Sequence, residues 1–108
     1  MSNFVDNSDI VLDELQGKIQ RALESCGLMA EGYAKSELTR QKAVDTGNLR
    51  NSVTHLVESD KMYVGTNVYY GPYIEFGTNK MSPRPYIKPS IADHLKEYRQ
   101  VIESILKE

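Results

Sequence analysis

The sequence predicts an α+β domain in which a long amino-terminal helix and a carboxy-terminal helix flank a small antiparallel sheet. Three observations predict it. A long amino-terminal stretch has no proline and repeats its apolar residues in steps of three and four. Two period-two segments follow across a short polar turn, and a second helical stripe closes the chain. With 108 residues, 40 % of them hydrophobic and 26 % charged, the chain is expected to build one domain over 1–108, because below about 150 residues a single core is the default. Residues 1–7 are expected to be a disordered lead-in.

The first helix is expected from Ser8 to about Val44. Leu12, Leu15, Ile19, Ala22, Cys26, Met29 and Tyr33 fall on one stripe of a helix surface. Asn7 or Ser8 is expected as its cap, accepting from free backbone N–H groups, with Asp9 where the helix dipole favours an anion. Gly17, Gly27 and Gly32 each cost a helix interior about 1 kcal/mol relative to alanine, so a bend or a close contact is expected at one of them. The stripe spans about three heptads, and packing against the protein's own sheet is expected rather than a coiled coil. The helix should end near AVDTGNLRNS, where Asp45, Thr46, Gly47 and Asn48 favour turns.

In SVTHLVES, Val53, His55 and Val57 face one way and Thr54, Leu56 and Glu58 the other. In KMYVGTNV, Met62, Val64 and Thr66 oppose Tyr63, Gly65 and Asn67. The intervening ESDK predicts an antiparallel hairpin. A proline-rich extended segment comes next. From Ser90 the stripe Ile91, Leu95, Tyr98, Ile102 and Ile105 predicts the last helix, with Ser90 as cap and Asp93 in the first turn.

Net charge −2 at neutral pH and a pI near 5.7 give no basic field for tight phosphate-backbone binding. No run reaches the roughly 18 apolar residues a membrane-spanning helix needs, so no membrane is expected. The amino terminus has no charged-then-apolar signal pattern, and Cys26 is the only cysteine, so synthesis in a reducing cytoplasm is expected. No metal site is expected: H-x-x-x-H and C-x-x-C are absent. No cofactor is expected either, because no G-x-G-x-x-G or phosphate loop is present. The nearest approach to a catalytic constellation is Asp45, Ser52 and His55, the residues a small hydrolase or toxin-like enzyme would use. Hydrogen bonding within a turn accounts for them better. We therefore expect no catalytic residues.

The segment from 67 to 89, NVYYGPYIEFGTNKMSPRPYIKP, holds all four prolines, two of seven glycines and five of nine aromatics. Ile74 and Phe76 are expected to turn inward. Tyr69, Tyr70, Pro72, Tyr73, Arg84 and Tyr86 are expected to meet a partner, because tyrosine offers an apolar body with a polar tip and proline holds its neighbours extended. Gly47 and Gly77 are expected at backbone positions that other residues fill poorly. Leu49 should be buried beside the first of these, and Arg50 and Glu75 should form an exposed pair between the two turns.

Three segments in this order and spacing resemble the small neck or tail-completion proteins of long-tailed bacteriophages and prophages. The family's D-T-G-x-L-R-x-S is matched by Asp45, Thr46, Gly47, Leu49, Arg50 and Ser52. Its Y-x-x-Y-x-E-F-G-T is matched by Tyr70, Tyr73, Glu75, Phe76, Gly77 and Thr78. Its R-P-aromatic-aliphatic-x-P is matched by Arg84, Pro85, Tyr86, Ile87 and Pro89. The one departure is Gly71 before Pro72, where the family more often has alanine. The resemblance covers the chain from about residue 8 onward. It implies a structural virion protein at the head–tail junction, made in the bacterial cytoplasm, that helps join a tail to a DNA-filled capsid. The alternative at the same junction is a tail terminator or head-closure adaptor. The implied partners are copies of itself in a ring, six to match tail rings, then head-closure or connector proteins and tail-terminator or tail-tube proteins. DNA would pass nearby without specific binding.

Overall fold

The computed structural model describes residues 2–41 and 46–108, with side chains for 13–41 and 47–108. The described elements are α1 (Ser2–Gln41), α2 (Thr46–Ser52), β1 (Thr54–Glu58), β2 (Lys61–Gly65), α3 (Gly71–Phe76), α4 (Ile87–Ala92) and α5 (Leu95–Leu106). The class is α+β, with a long first helix, a two-stranded antiparallel sheet and a terminal helix, as the sequence predicts.

Helix α1 differs from expectation at its start. It begins at Ser2, so Asn7 and Ser8 lie inside it rather than capping it, and residues 2–7 belong to the helix. Among residues 13–41 its buried apolar side chains are Ala22, Cys26, Ala30, Ala34 and Leu38, spaced four apart, with Gly27 buried beside them. Only Ala22 and Cys26 of these were in the expected stripe; Ile19, Met29 and Tyr33 are half-buried along its edge, Leu15 is 46 % exposed, and the side chain of Leu12 lies outside the described residues. Alanine has no side chain beyond Cβ, so Ala30 and Ala34 let neighbouring elements approach the helix backbone closely. That packing selects the face with the smallest residues over the face with the largest.

The hairpin follows its pattern. Thr54 pairs with Gly65, Leu56 with Tyr63 and Glu58 with Lys61, leaving Ser59 and Asp60 as the turn. Ser59 takes φ 56°, a left-handed conformation that a tight turn requires. His55, Val57, Met62 and Val64 sit half-buried toward α1, and Thr54, Leu56, Glu58, Lys61 and Tyr63 face out. Of the three glycines of α1, Gly27 makes the expected close contact. A Cβ there would lie 2.2 Å from Cδ2 of His55, whereas Gly17 and Gly32 have open space.

Beyond the hairpin the structure departs from an extended segment. Gly71–Phe76 folds into the short α3, with Tyr70 at its N-cap and Pro72 in its first turn, where a missing N–H costs nothing. Thr78 and Met81 then form an isolated antiparallel bridge, and Arg84 N–H donates to the Ile74 carbonyl at 2.8 Å. Helix α4 starts at Ile87, ahead of the expected cap Ser90. Ser90 is instead buried inside it: its hydroxyl donates to the Ile87 carbonyl at 2.5 Å, and its carbonyl accepts from the Tyr98 hydroxyl at 2.5 Å. The chain breaks at Asp93–His94 and resumes as α5, whose Tyr98 is buried while Leu95, expected inside, is 62 % exposed.

Two apolar clusters lie along α1. Ala34, Leu38, Leu49, Val53, Ile74 and Tyr86 form one. Cys26, Ala30 and Tyr98 form the other, and half-buried Val64 packs against both. The overall shape is elongated, 66 × 24 × 21 Å with a radius of gyration of 18.0 Å, against about 13 Å for a compact domain of this length.

Candidate protein-binding surface

The three motif segments meet at the carboxy-terminal end of α1. Asp45 lies outside the described residues, as does the side chain of Thr46. Leu49 on α2, Ile74 on α3 and Tyr86 before α4 belong to the same buried cluster, so side chains far apart in sequence close over Leu38. Gln41 ties this end down, its Nε2 donating to the carbonyls of Arg84 at 3.1 Å and Pro85 at 2.8 Å.

Glu75 is the polar centre of that junction, and its placement corrects two expectations. It is buried rather than exposed and it does not pair with Arg50, whose Nη1 donates to Thr39 Oγ1 at 3.1 Å. Its Oε1 accepts the backbone N–H groups of Tyr86 at 3.0 Å and Ile87 at 2.8 Å, and Oε2 accepts that of Lys88 at 3.1 Å. These are the free donors at the start of α4, a group that needs acceptors wherever water is excluded. A carboxylate suits the place because it accepts on both oxygens and is attracted to the positive end of the helix.

Tyr86 is likewise corrected. Expected on a partner surface, it is 1 % exposed, and burial, with the charge of Glu75 adding to it, pushes its hydroxyl pKa up to about 12. Its ring plugs the space between α2 and α3, which leaves no room for a side chain at residue 71. A Cβ on Gly71 would lie 2.5 Å from Thr66 Cγ2 and 2.9 Å from the Tyr86 hydroxyl. Gly77 takes φ 78° and ψ 176°, a combination essentially reserved for glycine, as the sequence led one to expect. Gly47 does not: it lies in the first turn of α2, and Gly77 is the glycine with positive φ among the described residues.

With Gly71, Ile74 and Glu75 turned inward, α3 presents Pro72, Tyr73 and Phe76 to solvent. Phe76 was expected in the core and is 77 % exposed. The period of α3 explains it: positions 71, 74 and 75 share a face, and 72, 73 and 76 share the other. Tyr73 is 52 % and Tyr69 83 % exposed, so both rings are accessible at the surface. Tyr70 is half-buried beneath them, packed on the core; Asn48 Nδ2 donates to its hydroxyl at 3.2 Å, and its ring meets that of Tyr69 edge-on at 5.4 Å. Arg84 and Pro85 are exposed. Pro72 and Phe76, with Pro83, Pro85 and Ile87, line an open groove of about 640 Å³ whose floor is Tyr86 and Glu75.

Ser52 and His55 are each engaged elsewhere. The Ser52 hydroxyl donates to the Leu49 carbonyl at 2.6 Å and meets the hydroxyl of Thr66. The His55 ring bonds Glu31 through Nδ1 and Glu24 through Nε2. The two carboxylates address opposite ring nitrogens, and no group of three His, Cys, Asp or Glu among the described residues is placed to hold a metal ion. The bond to Glu31 raises the His55 pKa above its ordinary value, burial opposes this, and Glu24 adds to the rise. Burial raises the Cys26 thiol pKa, which fits a small core residue rather than a nucleophile. No described helix is long and apolar enough to cross a membrane. Comparison of the chain with protein-family models, curated proteins and solved structures found no match.

Proposed function

We propose that this chain is a structural assembly protein of a bacteriophage or prophage head–tail junction, completing the neck or tail end as one member of a ring of its own copies. The observation that carries the reading is the division of labour within the three motif segments. Their inward residues, Leu49, Ile74, Glu75 and Tyr86, lock α2, α3 and α4 together. Their outward residues, Pro72, Tyr73 and Phe76, make with the neighbouring Tyr69 an aromatic face that is exposed among the described residues. A surface ordered in advance loses little freedom when it docks, and exposed aromatics in a group mark protein contacts. A ring component needs such a face toward its neighbours and toward the layers above and below. The slightly acidic net charge suits a conduit through which DNA must slide.

The test is deletion of the coding sequence from the phage or prophage that carries it. DNA-filled capsids and finished tails should accumulate unjoined, and supplying the protein should restore infectious particles. Tyr69→Ala and Tyr73→Ala should impair joining while shifting the thermal melt by no more than about 2–4 °C, as surface changes do. Normal infectious yield from the deletion strain would overturn the reading.

A further inference from the structure

We propose that copies of this chain join head to tail, the acidic amino-terminal arm of α1 in one copy lying in the basic-rimmed groove at the opposite end of the next. The proposal rests on the self-association in the reading above and gives it an interface.

The arm is the part of α1 that precedes Lys18. The body reaches α1 at Lys18 and Arg21, which hold Glu108, and among the described side chains of α1 the first buried one is Ala22. Asp13, Glu14, Leu15, Gln16 and Gly17 are all exposed, and the helix continues outward to Ser2. From Ser2 to Leu15 the sequence carries Asp6, Asp9, Asp13 and Glu14 with no lysine or arginine, together with Phe4, Val5, Ile10, Val11, Leu12 and Leu15. The sequence of this helix end is acidic and rich in apolar residues, and its described positions, 13–17, are uncovered.

The groove has the opposite character. Its walls, Pro72, Phe76, Pro83 and Ile87, are apolar. Lys80, Arg84 and Lys88 are exposed in the same segment, and Glu75 is the sole acid between Thr66 and Ala92. That carboxylate is already buried and bound by three N–H groups, so the charge left in the groove lining is that of Lys88, with Lys80 and Arg84 exposed near it in sequence. An apolar helix face in an apolar groove, with acids meeting lysine and arginine around it, is a standard recognition geometry.

Distance decides which chain supplies the helix. The groove is fixed to the carboxy-terminal end of α1 through Gln41. Between Glu14 and Gln41 the rigid helix is about 40 Å long, at roughly 1.5 Å per residue. The arm cannot fold back to its own groove, and a second copy must fill it. The two patches are different surfaces at opposite ends of the molecule, so the contact is heterologous and propagates, closing into a ring when the rotation per copy permits.

The full-length protein, followed by sedimentation over a concentration series at low salt, should grow in mass beyond a dimer. Asp9→Lys with Asp13→Lys, or Arg84→Glu with Lys88→Glu, should each move association to at least about tenfold higher concentration. The protein carrying all four changes, or an equimolar mixture of the two doubly substituted proteins, should associate again, because the signs are exchanged and not lost. Circular dichroism checks that each variant is folded. Independently of any variant, a zero-length carbodiimide applied to a mixture of isotope-labelled and unlabelled wild-type protein should join Asp13 or Glu14 of one copy to Lys80 or Lys88 of another. A wild-type protein that stays monomeric, reversals that leave its mass unchanged, failure of exchanged signs to restore it, or cross-links confined to one copy would overturn the proposal. Because the readout is mass rather than infectivity, a protein that assembles this way but joins no tails would refute the head–tail reading alone.

Discussion

Glu75 and Phe76 are adjacent and have exchanged the roles their chemistry suggests. The carboxylate is buried on three backbone donors and the phenyl ring is 77 % exposed. Glu75→Gln keeps an oxygen for Tyr86 and Ile87 but turns an NH2 group toward the N–H of Lys88, leaving a buried donor facing a donor. Loss of a charge-assisted bond together with an unsatisfied buried group costs about 2–4 kcal/mol, whereas Phe76→Ala removes little buried area and should cost under about 1 kcal/mol. Urea unfolding of the two variants should therefore rank Glu75→Gln as clearly the more damaging, and the reverse order would show that the groove is closed over Phe76. The sequence alone points the other way, because burial of a lone glutamate depends on backbone eleven or more residues downstream that no local pattern reveals. Leu49 and Ile74 were legible: an aliphatic residue in the right phase needs no partner to be recognised as core. Tyr86 was not, since a tyrosine between prolines reads equally as plug or as contact.

Between elements, the period-two hairpin was readable because alternation alone fixes which face a strand buries. Helix α3 was missed, although Gly71-Pro72 is a usable signal of a helix start; surrounding prolines disguised it. Beside the apolar packing of Met62 and Val64, a polar clamp ties the sheet to α1, in which His55 reaches Glu24 and Glu31 across the Gly27 backbone. Glu31 also has Lys35 3.7 Å away, so the cluster of His55, two carboxylates and one ammonium is balanced when the imidazole is protonated. Because the folded-state pKa of His55 is raised, its contribution to stability is complete below the unfolded value of roughly 6.5 and is lost as pH rises through the folded value. The urea midpoint should accordingly fall as pH increases from roughly 5.5 to 9, and most of that slope should vanish in His55→Gln. Gly27→Ala tests the same clamp from the helix side. An ordinary helix interior gains about 1 kcal/mol from this change, and Gly32→Ala, with open space around it, should show that gain. At Gly27 the added methyl displaces the imidazole, so the midpoint should drop and its pH slope should flatten. Equal stabilisation by both alanines would mean that His55 is not held where the ring lies.

The whole molecule is organised by one helix that is much longer than the body it supports, and this length has a dynamic consequence. Over Ala22–Leu38 the helix is buried in two clusters, so its amides there should open only when the domain unfolds. Toward Ser2 nothing of the chain packs on it at the described positions. A helical stretch shorter than about 12–15 residues is marginal in water on propensity alone, and local opening is cheapest where tertiary contacts are fewest. Continuity with the buried helix spares the arm the cost of nucleation but supplies no burial. In dilute solution, hydrogen exchange read residue by residue should show amides from Ser2 to about Leu15 exchanging orders of magnitude faster than those of Ala30, Ala34 and Leu38. At concentrations where copies associate, the arm should slow, because docking supplies the packing that its own chain withholds, and residues Gly71–Lys88 around the groove should slow with it. The two responses must rise together along one concentration curve if they are the two halves of one contact. Protection of the arm in the dilute monomer would show that α1 is stable without a partner, and protection of the groove without the arm would assign it to another surface.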